Sequence, residues 1–489
     1  MENQVDIVFV NPGDRKRTYQ ELGEEFVAIE PPFFLAALAG YVRMKGFKAV
    51  VIDADAENFS PEEVGEKVAE LNPFLSVIIV CGHHPSASTQ TMPSAGRICK
   101  AIKDVSSGKV ALSGLHPSAL PEKTLIEEDV DFVIQGEGYH TICELLNCLI
   151  SKDSDFFKVP GLCYFIEKDV YRKTVEATVY DVAVRPLFPA WDLLPMEKYR
   201  AHNWHCFDNI QDRGHYGVIY TSFGCPYSCS FCCVKALFGK ASIRYRNPAE
   251  VVDEITNLVK DYSVRNLKIA DELFLLNDSH YMGIVNGLVK RDLGLNIWAY
   301  ARIDTIRPEF LKRIKQAGIN WLGIGIETAN ENVSKGVRKW RKVDIKNVIR
   351  QIQDEGIRVG ANYMFGLPDD TIETMQETLD LAIELNCEMS NFYCCMAYPG
   401  SDLFDKAVRE NMYLPSDWEG YSQHSYETFP LATKNLSSED ILRFRDRAFH
   451  KYYASQKYLN MITEKFGVGV REHITQMTKI KLKRKLFGD

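Results

Sequence analysis

The sequence predicts an α/β protein: a doubly wound, Rossmann-like parallel sheet, then a partial (βα)6 barrel of TIM type, then a mainly helical C-terminal segment. The main observation is that short, wholly apolar strand candidates alternate with helical stretches in two series, at about residues 4–150 and 216–400. Strands of this kind, separated by helices, are typical of parallel sheets covered on both faces. The second observation is size, because 489 residues with 46% hydrophobic content can form about three domains with a large core.

The two series and the segments around them divide the chain into four parts. We predict a Rossmann-like domain over residues 1–150 and the partial barrel over residues 211–401. Residues 151–210, which contain aromatics, prolines and short extended pieces, are typical of a linker with a small hairpin. Residues 402–489 are predicted to be mainly helical, with one helix over 437–457.

The first series contains strand candidates that each end in a loop of Gly, Ser, His, Asn, Asp or Pro residues. They cover residues 5–10, 49–52, 76–80, 110–112 and 130–134. Ligands of doubly wound folds bind beyond the carboxyl ends of the strands. The loops at these ends are therefore a candidate binding site.

The second series contains six further strand candidates. They cover residues 217–222, 267–270, 297–301, 321–326, 359–365 and 391–397. Helices fit between them: Pro308 opens one that Gly318 closes, and Asp369 and Asp370 are predicted to cap another. Six βα repeats make a partial barrel, and reaction sites in such barrels gather at the carboxyl ends of the strands.

The charge pattern argues against several classes of function. A net charge of -8 is unlike the basic field of a general nucleic-acid binder. One basic run, Lys479, Lys481, Lys483, Arg484 and Lys485, is expected to be a solvated tail, with docking to RNA, an anionic lipid or a carrier protein as the alternative. We find no secretory signal and no apolar run long enough for a membrane span, so we expect a cytoplasmic protein.

Thirteen cysteines in a reducing compartment are expected to be free thiols or metal ligands. Directly after the first barrel strand, Cys225, Cys229 and Cys232 have the spacing CxxxCxxC, in a loop that Gly224 and Pro226 favour. Thiolates suit iron–sulfur clusters and zinc. A four-iron cluster ordinarily takes four cysteines, so three would leave one iron open to another ligand. The alternative is a structural zinc site.

In that alternative, Cys233, Cys206 or His215 would be the fourth zinc ligand. The protein would then be a non-enzymatic metal-binding or sensor protein. Reconstitution of the metal site separates this hypothesis from the iron–sulfur one.

The cysteine motif resembles the signature of the radical S-adenosylmethionine (radical SAM) superfamily, in which an aromatic residue, here Phe231, precedes the last cysteine. The resemblance implies a [4Fe–4S] cluster whose open iron binds SAM, and reductive cleavage of SAM to a 5′-deoxyadenosyl radical. It also implies SAM contacts along the strand ends. The candidates are Phe231, Ala270, Asp271, Glu272, Arg302, Glu327 and Gly366.

These candidates follow the family pattern to different degrees. The family usually has Gly-Gly-Glu where this chain has Ala270-Asp271-Glu272, so the backbone or either carboxylate could receive the SAM amine. A helix N-terminal charge is the alternative there. Glu327 matches a glutamate that accepts hydrogen bonds from ribose hydroxyls, and Arg302 could pair with the SAM carboxylate or with a neighbouring acid.

The first series resembles the cobalamin (B12)-binding module that accompanies a large subclass of radical SAM enzymes. The resemblance rests on residues 81–86, 113–121 and 136–141. It implies cobalamin contacts from Asn11, Pro12, Asp53, Gly82, His83, Ser86, Ser113, Gly114, His116, Gly136, Glu137 and Gly138. The Asp-x-His-x-x-Gly pattern of methionine-synthase-like modules is absent, so we expect cobalt without a histidine ligand from this domain. A module that has lost its cobalamin is the alternative.

Together these resemblances imply a cobalamin-dependent radical SAM methyltransferase that acts on an unactivated carbon. One SAM would recharge methylcobalamin and another would give the radical, with a donor such as flavodoxin or ferredoxin supplying electrons. The alternative reaction is cyclisation, ring rearrangement or oxygen insertion, as in related porphyrin-ring cyclases. The sequence identifies neither the small-molecule or biosynthetic-intermediate substrate nor the catalytic residues, although Trp418, Tyr421, His424 and Tyr426 could line its pocket or belong to the core.

Overall fold

A computed structural model describes residues 5–82, 87–167, 169–340 and 342–489. Two large sheets organise the described chain, and the first has seven strands. These strands are β1 (Ile7–Asn11), β2 (Ala49–Asp53), β3 (Leu75–Val80), β4 (Lys109–Gly114), β5 (Phe132–Ile134), β6 (Leu162–Phe165) and β7 (Tyr171–Lys173). Strands β1 to β5 are parallel in the order β2-β1-β3-β4-β5, which confirms the doubly wound prediction.

Strands β6 and β7 form an antiparallel hairpin at the edge of this sheet, where β6 pairs with β5. The hairpin lies within the segment that we predicted as a linker. The sequence predicts its extended pieces but not that they complete the first sheet. The remainder of the segment has short 3₁₀ turns at Phe156–Lys158, Trp191–Leu193, Met196–Lys198 and Asn203–Cys206.

Helices cover both faces of the first sheet. They are α1 (Arg15–Tyr19), α2 (Leu22–Glu25), α3 (Phe33–Met44), α4 (Ala54–Glu57), α5 (Pro61–Leu71), α6 (Ala87–Val105), α7 (Leu115–Ala119), α8 (Pro121–Glu127) and α9 (Tyr139–Ser151). Local sequence sets their starts, as in α5, where Ser60 and Glu63 form a capping box before Pro61. All six residues of β3 are buried because helices cover both of its faces.

The second large sheet is the predicted partial barrel of six parallel strands. The strands of this region are β8 (Tyr216–Ile219), β9 (Ser222–Cys225), β10 (Ser242–Tyr245), β11 (Asn266–Ile269), β12 (Asn296–Arg302), β13 (Ile319–Glu327), β14 (Arg358–Phe365) and β15 (Met389–Cys394). The barrel order is β8-β11-β12-β13-β14-β15. The first candidate strand divides in two, because β9 leaves the barrel sheet to pair with β10 in an antiparallel hairpin.

Helices surround the barrel between its strands. They are α10 (Lys235–Phe238), α11 (Pro248–Tyr262), α12 (Asp278–Arg291), α13 (Pro308–Gln316), α14 (Glu331–Gly336), α15 (Ile345–Asp354) and α16 (Ile372–Leu385), with 3₁₀ turns at Phe274–Leu276 and Ile303–Thr305. The predicted cap of α16 is wrong. Thr371 caps that helix, and Asp370 instead accepts hydrogen bonds from the Leu367 backbone N–H (2.9 Å) and the Thr374 hydroxyl (2.7 Å).

Aromatic side chains fill the amino end of the barrel. The Trp298 and Trp321 rings stack with centroids 5.3 Å apart. Glycines provide the room for them, because a Cβ atom at Gly360 would lie 2.6 Å from the Trp298 ring. The barrel interior is therefore closed at this end and open at the carboxyl ends of the strands.

The C-terminal segment is mainly helical, as predicted, with α17 (Asp402–Arg409), α18 (Ser438–Tyr453), α19 (Gln456–Phe466), α20 (Val468–Lys479) and 3₁₀ turns at Trp418–Tyr421 and Lys485–Phe487. The helix predicted over 437–457 ends at Tyr453, because Ser455 caps a new helix. The expectation of a solvated basic tail is wrong for Arg484, whose fully buried guanidinium is bound to Asp446 at 3.0 Å. Among the described helices, none is long and apolar enough to cross a membrane.

Residues 415–428, which we call the bridging segment, join the barrel to the first sheet's helices. The Gln423 side chain hydrogen-bonds the backbone N–H and C=O of Cys394, at the end of β15 (2.8 and 2.9 Å). The Trp418 indole donates to Glu127 of α8 (3.0 Å) and its ring lies 4.5 Å from that of His116. Tyr421 is buried, so these aromatics contribute to the packing between the two sheets.

Candidate functional site

The cysteine motif occupies the connection between β9 and β10, at the carboxyl end of the first barrel strand. Cys225 is the last residue of β9, and the Cys232 backbone N–H donates to the Cys229 carbonyl at 3.1 Å. The three thiols are partly exposed, and the charge of Cys229 acts on both of the others. Burial raises the pKa of Cys225 to about 11, so metal binding there would have to displace a proton.

Contacts from two other parts of the chain hold this cysteine loop. The Ser230 backbone N–H donates to the Val337 carbonyl (3.2 Å), and the Ser230 carbonyl accepts from the Leu403 N–H (2.9 Å). Helix α7 of the first sheet packs against α10, which follows the last cysteine. The loop is therefore fixed between the barrel and the first sheet.

Two of the three residues proposed as a fourth zinc ligand lie far from the cysteine loop. Cys206 and His215 come before the first residue of β8, at the opposite end of the barrel strands from the cysteine loop. Cys233 is buried in the core. Within the residues that the structure describes, no three His, Cys, Asp or Glu side chains converge on a single-ion site, the three cysteines of the loop included, so this observation does not separate the two hypotheses. By their chemistry, three thiolates in one loop suit a four-iron cluster with one open iron, whereas a closed zinc site needs a fourth ligand.

Asp271 is a structural residue by its contacts. Its fully buried carboxylate accepts hydrogen bonds from the Thr221 N–H, the Thr221 hydroxyl and the Ser222 hydroxyl, each at 2.6 Å. These donors hold the turn between β8 and β9. The Asp271 carboxylate therefore orients the strand that leads into the cysteine loop.

Glu272 has the opposite surroundings. Among the described residues, no side chain donates a hydrogen bond to its carboxylate, and burial with the nearby Asp271 charge raises its pKa to about 8, while Lys268 lowers it. Its charge acts on Cys225 and Cys232. Glu272 is a partly exposed residue without a side-chain donor among the described residues, so it is a candidate partner for a cationic group of a ligand near Cys225 and Cys232.

Arg302, the last residue of β12, lies at the other side of the cysteine loop. Its Nε donates to Asp304 at 2.9 Å, and its Nη1 lies 4.0 Å from the Cys229 sulfur. The Tyr227 ring lies 4.2 Å from the guanidinium carbon. The ion pair with Asp304, one of the alternatives from the sequence, is thus present.

Glu327 ends β13 in the left-handed region, with φ +66°, and forms a buried ion pair with Lys339. Backbone strain of this kind in a non-glycine residue is concentrated at functional sites. Lys339 comes from the loop after α14 and is a site residue that the sequence analysis missed. The sequence around Lys339 does not indicate this ion pair, because Lys339 and Glu327 come together only in the folded chain.

The other three SAM candidates lie on different sides of the barrel mouth. Phe231 packs against a small apolar cluster that includes Leu367. Gly366 has φ +77°, and a Cβ atom there would lie 2.6 Å from Ile441 of α18. Ala270 lines the cleft described next.

A cleft lies between the carboxyl ends of the two sheets. Its unfilled space is about 900 Å³, open solvent at its mouth included. The first sheet's part of the chain provides both polar residues, such as Asn11 and Gln90, and the apolar Phe33 and Phe34 of α3. The barrel part provides Val218, Tyr220 and Ala270. The residues that line it include Asn11, Pro12, Gly13, Tyr19, Glu30, Phe33, Phe34, Asp55, Cys81, Gly82, Gln90, Thr91, Val218, Tyr220 and Ala270. Glycine backbone and aromatic rings thus line a cleft at the strand ends where ligands of doubly wound folds bind.

Of the cobalamin candidates, Asn11, Pro12 and Gly82 line this cleft. Asp53 does not: its buried carboxylate accepts from Asn11 Nδ2 (2.8 Å), the Tyr199 hydroxyl (2.7 Å) and the Ala56 N–H. Burial and the Asp55 charge raise the pKa of Asp53 to about 6. His83 and Ser86 lie outside the described residues.

The candidates after β4 are buried. Ser113 and His116 are almost fully enclosed, and His116 Nδ1 lies 3.2 Å from the Thr89 hydroxyl. Gly114 has φ +126°, and any side chain there would overlap the Val80 carbonyl. The structure brings these residues next to the end of β3 rather than to the cleft surface.

The candidates after β5 face the cysteine loop. Glu137 forms an ion pair with Arg244 of β10 and accepts a hydrogen bond from the Tyr180 N–H at 3.3 Å. Gly136 and Gly138 have positive φ angles of 78° and 81°. This strand end thus contacts the hairpin of β9 and β10 directly.

The sequence analysis also missed a buried ion pair between the two parts of the molecule. Lys268 of β11 binds both carboxylate oxygens of Glu30, which lines the cleft, at 3.0 Å. The Tyr216 hydroxyl donates to the same carboxylate at 3.4 Å. A lysine within an otherwise apolar barrel strand was the one available signal, since buried lysines are rare unless paired.

Residues 219–382 match the model of the radical SAM superfamily, and residues 22–146 match that of the B12 binding domain. The chain is a B12-binding radical SAM enzyme. The first of these ranges contains the cysteine loop, and the second contains the ends of β2 to β5, whereas β1 precedes it.

Relatives of this B12-binding radical SAM enzyme cover most of its length. The chain is 27% identical over 459 residues to an uncharacterized methyltransferase of Pyrococcus horikoshii, covering 92% of this chain and 94% of the relative. It is 29% identical over 412 residues to the anaerobic magnesium-protoporphyrin IX monomethyl ester cyclase of Rubrivivax gelatinosus, covering 82% and 69%.

Among solved structures, the radical SAM methyltransferase TsrM from Kitasatospora setae, with cobalamin and a [4Fe–4S] cluster bound, has the same fold. The TM-score is 0.69 at 17% identity, over 97% of this chain and 99% of TsrM. The similarity covers both sheets and the C-terminal helices.

Proposed function

We propose that this enzyme is a cobalamin-dependent methyltransferase that uses a radical derived from SAM to methylate an unactivated carbon. The substrate class is a small molecule or biosynthetic intermediate. The observation that carries the proposal is that the end of β11 reaches both sites. Ala270 lines the cleft, and Glu272, two residues later, lies beside the cluster thiols. Groups bound at the two sites would face one common space.

When bound, the cluster with SAM supplies a 5′-deoxyadenosyl radical, and cobalamin supplies the methyl group. Cys225, Cys229 and Cys232 would hold the cluster through thiolates. The Glu272 carboxylate, without a donor of its own among the described residues, can accept hydrogen bonds from an ammonium group. The strained Glu327 is the candidate acceptor for ribose hydroxyls.

On the other side of the shared space, Asn11, Gln90 and Thr91 can hydrogen-bond a ligand in the cleft. Phe33, Phe34 and Tyr220 form an apolar part of its lining. The proposal also includes a one-electron donor such as flavodoxin or ferredoxin and a cytoplasmic location.

Two named relatives support different reactions on this scaffold. The methyltransferases among the similar proteins support methylation. The cyclase of Rubrivivax gelatinosus supports a second candidate, cyclisation, ring rearrangement or oxygen insertion with the same cofactors. Both candidates use the same cysteine loop and cleft.

The products of SAM separate these candidates. We would incubate the reconstituted enzyme with SAM and a reductant under anaerobic conditions and quantify both nucleoside products. Methyl transfer gives S-adenosylhomocysteine as well as 5′-deoxyadenosine, because replacing the cobalamin methyl group consumes one SAM. The second candidate gives 5′-deoxyadenosine alone. If neither nucleoside forms, both candidate reactions are contradicted, provided that the wild-type enzyme and a Cys233→Ser control hold the same amount of iron.

A further inference from the structure

A buried arginine contacts one of the three proposed cluster thiols. The Arg302 side chain is 6% exposed, and Asp304 and the Lys339 carbonyl bind its Nε and Nη2 atoms. These contacts leave Nη1 directed at the Cys229 sulfur, 4.0 Å away. The Tyr227 ring lies along the guanidinium and limits its movement. The arginine is therefore fixed in one orientation.

Lys339 belongs to the same network. Its carbonyl accepts from Arg302 Nη2 at 3.1 Å, while its ammonium pairs with Glu327 inside the protein. The Cys229 sulfur thus has the Arg302 guanidinium in contact, and the Lys339 ammonium belongs to the network that holds this arginine. An acid from a different strand end binds each cation.

Addition of an electron makes a cluster more negative by one charge. Hydrogen bonds to its sulfurs, nearby charge and solvent exposure set the potential at which this occurs. A cation in a partly buried site stabilises the added charge more than one at the surface, because screening there is weaker. The Arg302 fork can also donate an N–H to the sulfur, which a surface cation cannot do.

We propose that Arg302, assisted by Lys339, is a positioning residue that raises the reduction potential of the cluster and so makes its one-electron reduction by a flavodoxin- or ferredoxin-type donor easier. In this step one electron passes from the donor to the cluster, and no bond of the protein forms or breaks. The proposal rests on the proposed function only in requiring that the cluster is bound. It is independent of which reaction follows.

The test is a redox titration of the cluster-loaded, SAM-free enzyme, followed by electron paramagnetic resonance. In Arg302→Gln, the ratio of reduced to oxidised cluster at the wild-type midpoint should fall about tenfold, which is about 59 mV for one electron. Lys339→Gln should shift the potential in the same direction. Arg302→Lys keeps the charge but loses the fork, so its shift should be smaller.

The matched control is Arg307→Gln, because Arg307 follows the same strand but is half exposed and pairs with Asp278. Its potential should equal that of the wild type. Unchanged potentials in both Arg302→Gln and Lys339→Gln, at full iron and sulfide content, would overturn the proposal. So would an Arg302→Gln effect confined to SAM affinity, since that would assign the arginine to the SAM carboxylate.

If Arg302→Gln loses the cluster, Arg302→Lys and Lys339→Gln provide the test. Wild-type potentials in both of these variants would again overturn the proposal. Failure of the wild-type enzyme to take up any cluster is a different result. It would contradict the proposed function rather than the role of Arg302.

Discussion

Glu137 and Arg244 form a largely buried ion pair between the first sheet and the hairpin that carries the cysteine loop. Glu137 follows β5, whereas Arg244 lies on β10, opposite Phe223 of β9. The side chains are 7% and 19% exposed. Burial raises the pKa of Glu137 although the Arg244 contact lowers it. The pair connects the B12-binding domain to the cluster site through two side chains.

Glu137→Gln should therefore destabilise the enzyme by about 2 kcal/mol, because Arg244 would keep its charge in a site with little water. The value lies below that for a fully buried pair since Arg244 is partly exposed. Chemical denaturation measures the change. Arg43→Gln is the control: its pair with Asp192 is exposed, so the free energy of unfolding should fall by at most about 1 kcal/mol. Equal losses in both variants would contradict the importance of the buried pair.

Substitution of single cysteines tests the cluster assignment. Cys225→Ser, Cys229→Ser and Cys232→Ser should each lose most of the bound iron and sulfide after anaerobic reconstitution, because a hydroxyl is a poor ligand for iron in such a cluster. Cys233→Ser is the matched control, since this neighbour is buried in the core. Iron analysis and the visible absorption spectrum provide the measurement. Normal iron content in all three variants would leave the cysteine loop without its proposed role.

Gly114→Ala should be strongly destabilising. The residue has φ +126°, and a methyl group there would overlap the Val80 backbone. We expect a loss of about 3 kcal/mol, combining backbone strain with overpacking. Gly46→Ala shares the strain, with φ +92°, but has nothing within 4 Å of the new atom, so it should cost only about 1 kcal/mol. Thermal or chemical unfolding of both variants checks the difference, and similar costs would contradict the overlap.

His116 should make stability depend on pH. Burial and the Lys123 charge lower its pKa to about 3, far below the ordinary value of about 6.5. As the pH falls, His116 therefore binds a proton in the unfolded chain but not in the folded one. Its contribution to the free energy of unfolding is fully present above the ordinary pKa and is lost as the pH falls below it. Between pH 7.5 and 5.5 the loss should be about 1 kcal/mol larger in the wild type than in His116→Asn. Unfolding measured at both pH values tests this, and parallel slopes for the two proteins would contradict it.

The sequence predicted the parallel strands of both sheets because each is a short, mostly apolar run that ends at a polar or glycine residue. All five parallel strands of the first sheet and all six of the barrel overlap their predicted ranges, whereas β6 and β7 were expected in a linker hairpin rather than in the sheet. The cysteine loop was equally accessible, since its ligands lie within eight residues of one another. Local patterns of this kind survive folding without change.

The contacts around the site were not accessible in the same way. The position of Asp271 in the sequence suggests an acceptor for a ligand, but in the folded chain its carboxylate accepts from the hydroxyls of Thr221, in the turn between β8 and β9, and of Ser222 in β9. Lys339 reaches Glu327, and Lys268 reaches Glu30 in the other part of the molecule. Such ion pairs depend on which distant segments come together in the fold. The local sequence around one partner does not indicate the other. Arg484 is a further example. Its basic neighbours in the sequence favour an exposed side chain, whereas in the structure it is buried in an ion pair with Asp446.

The edge hairpin of β6 and β7 has a practical meaning for chimeric enzymes. An exchange of B12-binding modules between relatives, cut at residue 150, would leave the host's hairpin to pair with a foreign β5. A graft that continues through Lys173 would carry the whole sheet, edge included. Even that graft must keep a residue that packs against Trp418 of the recipient, because His116 of the B12-binding module contacts this ring.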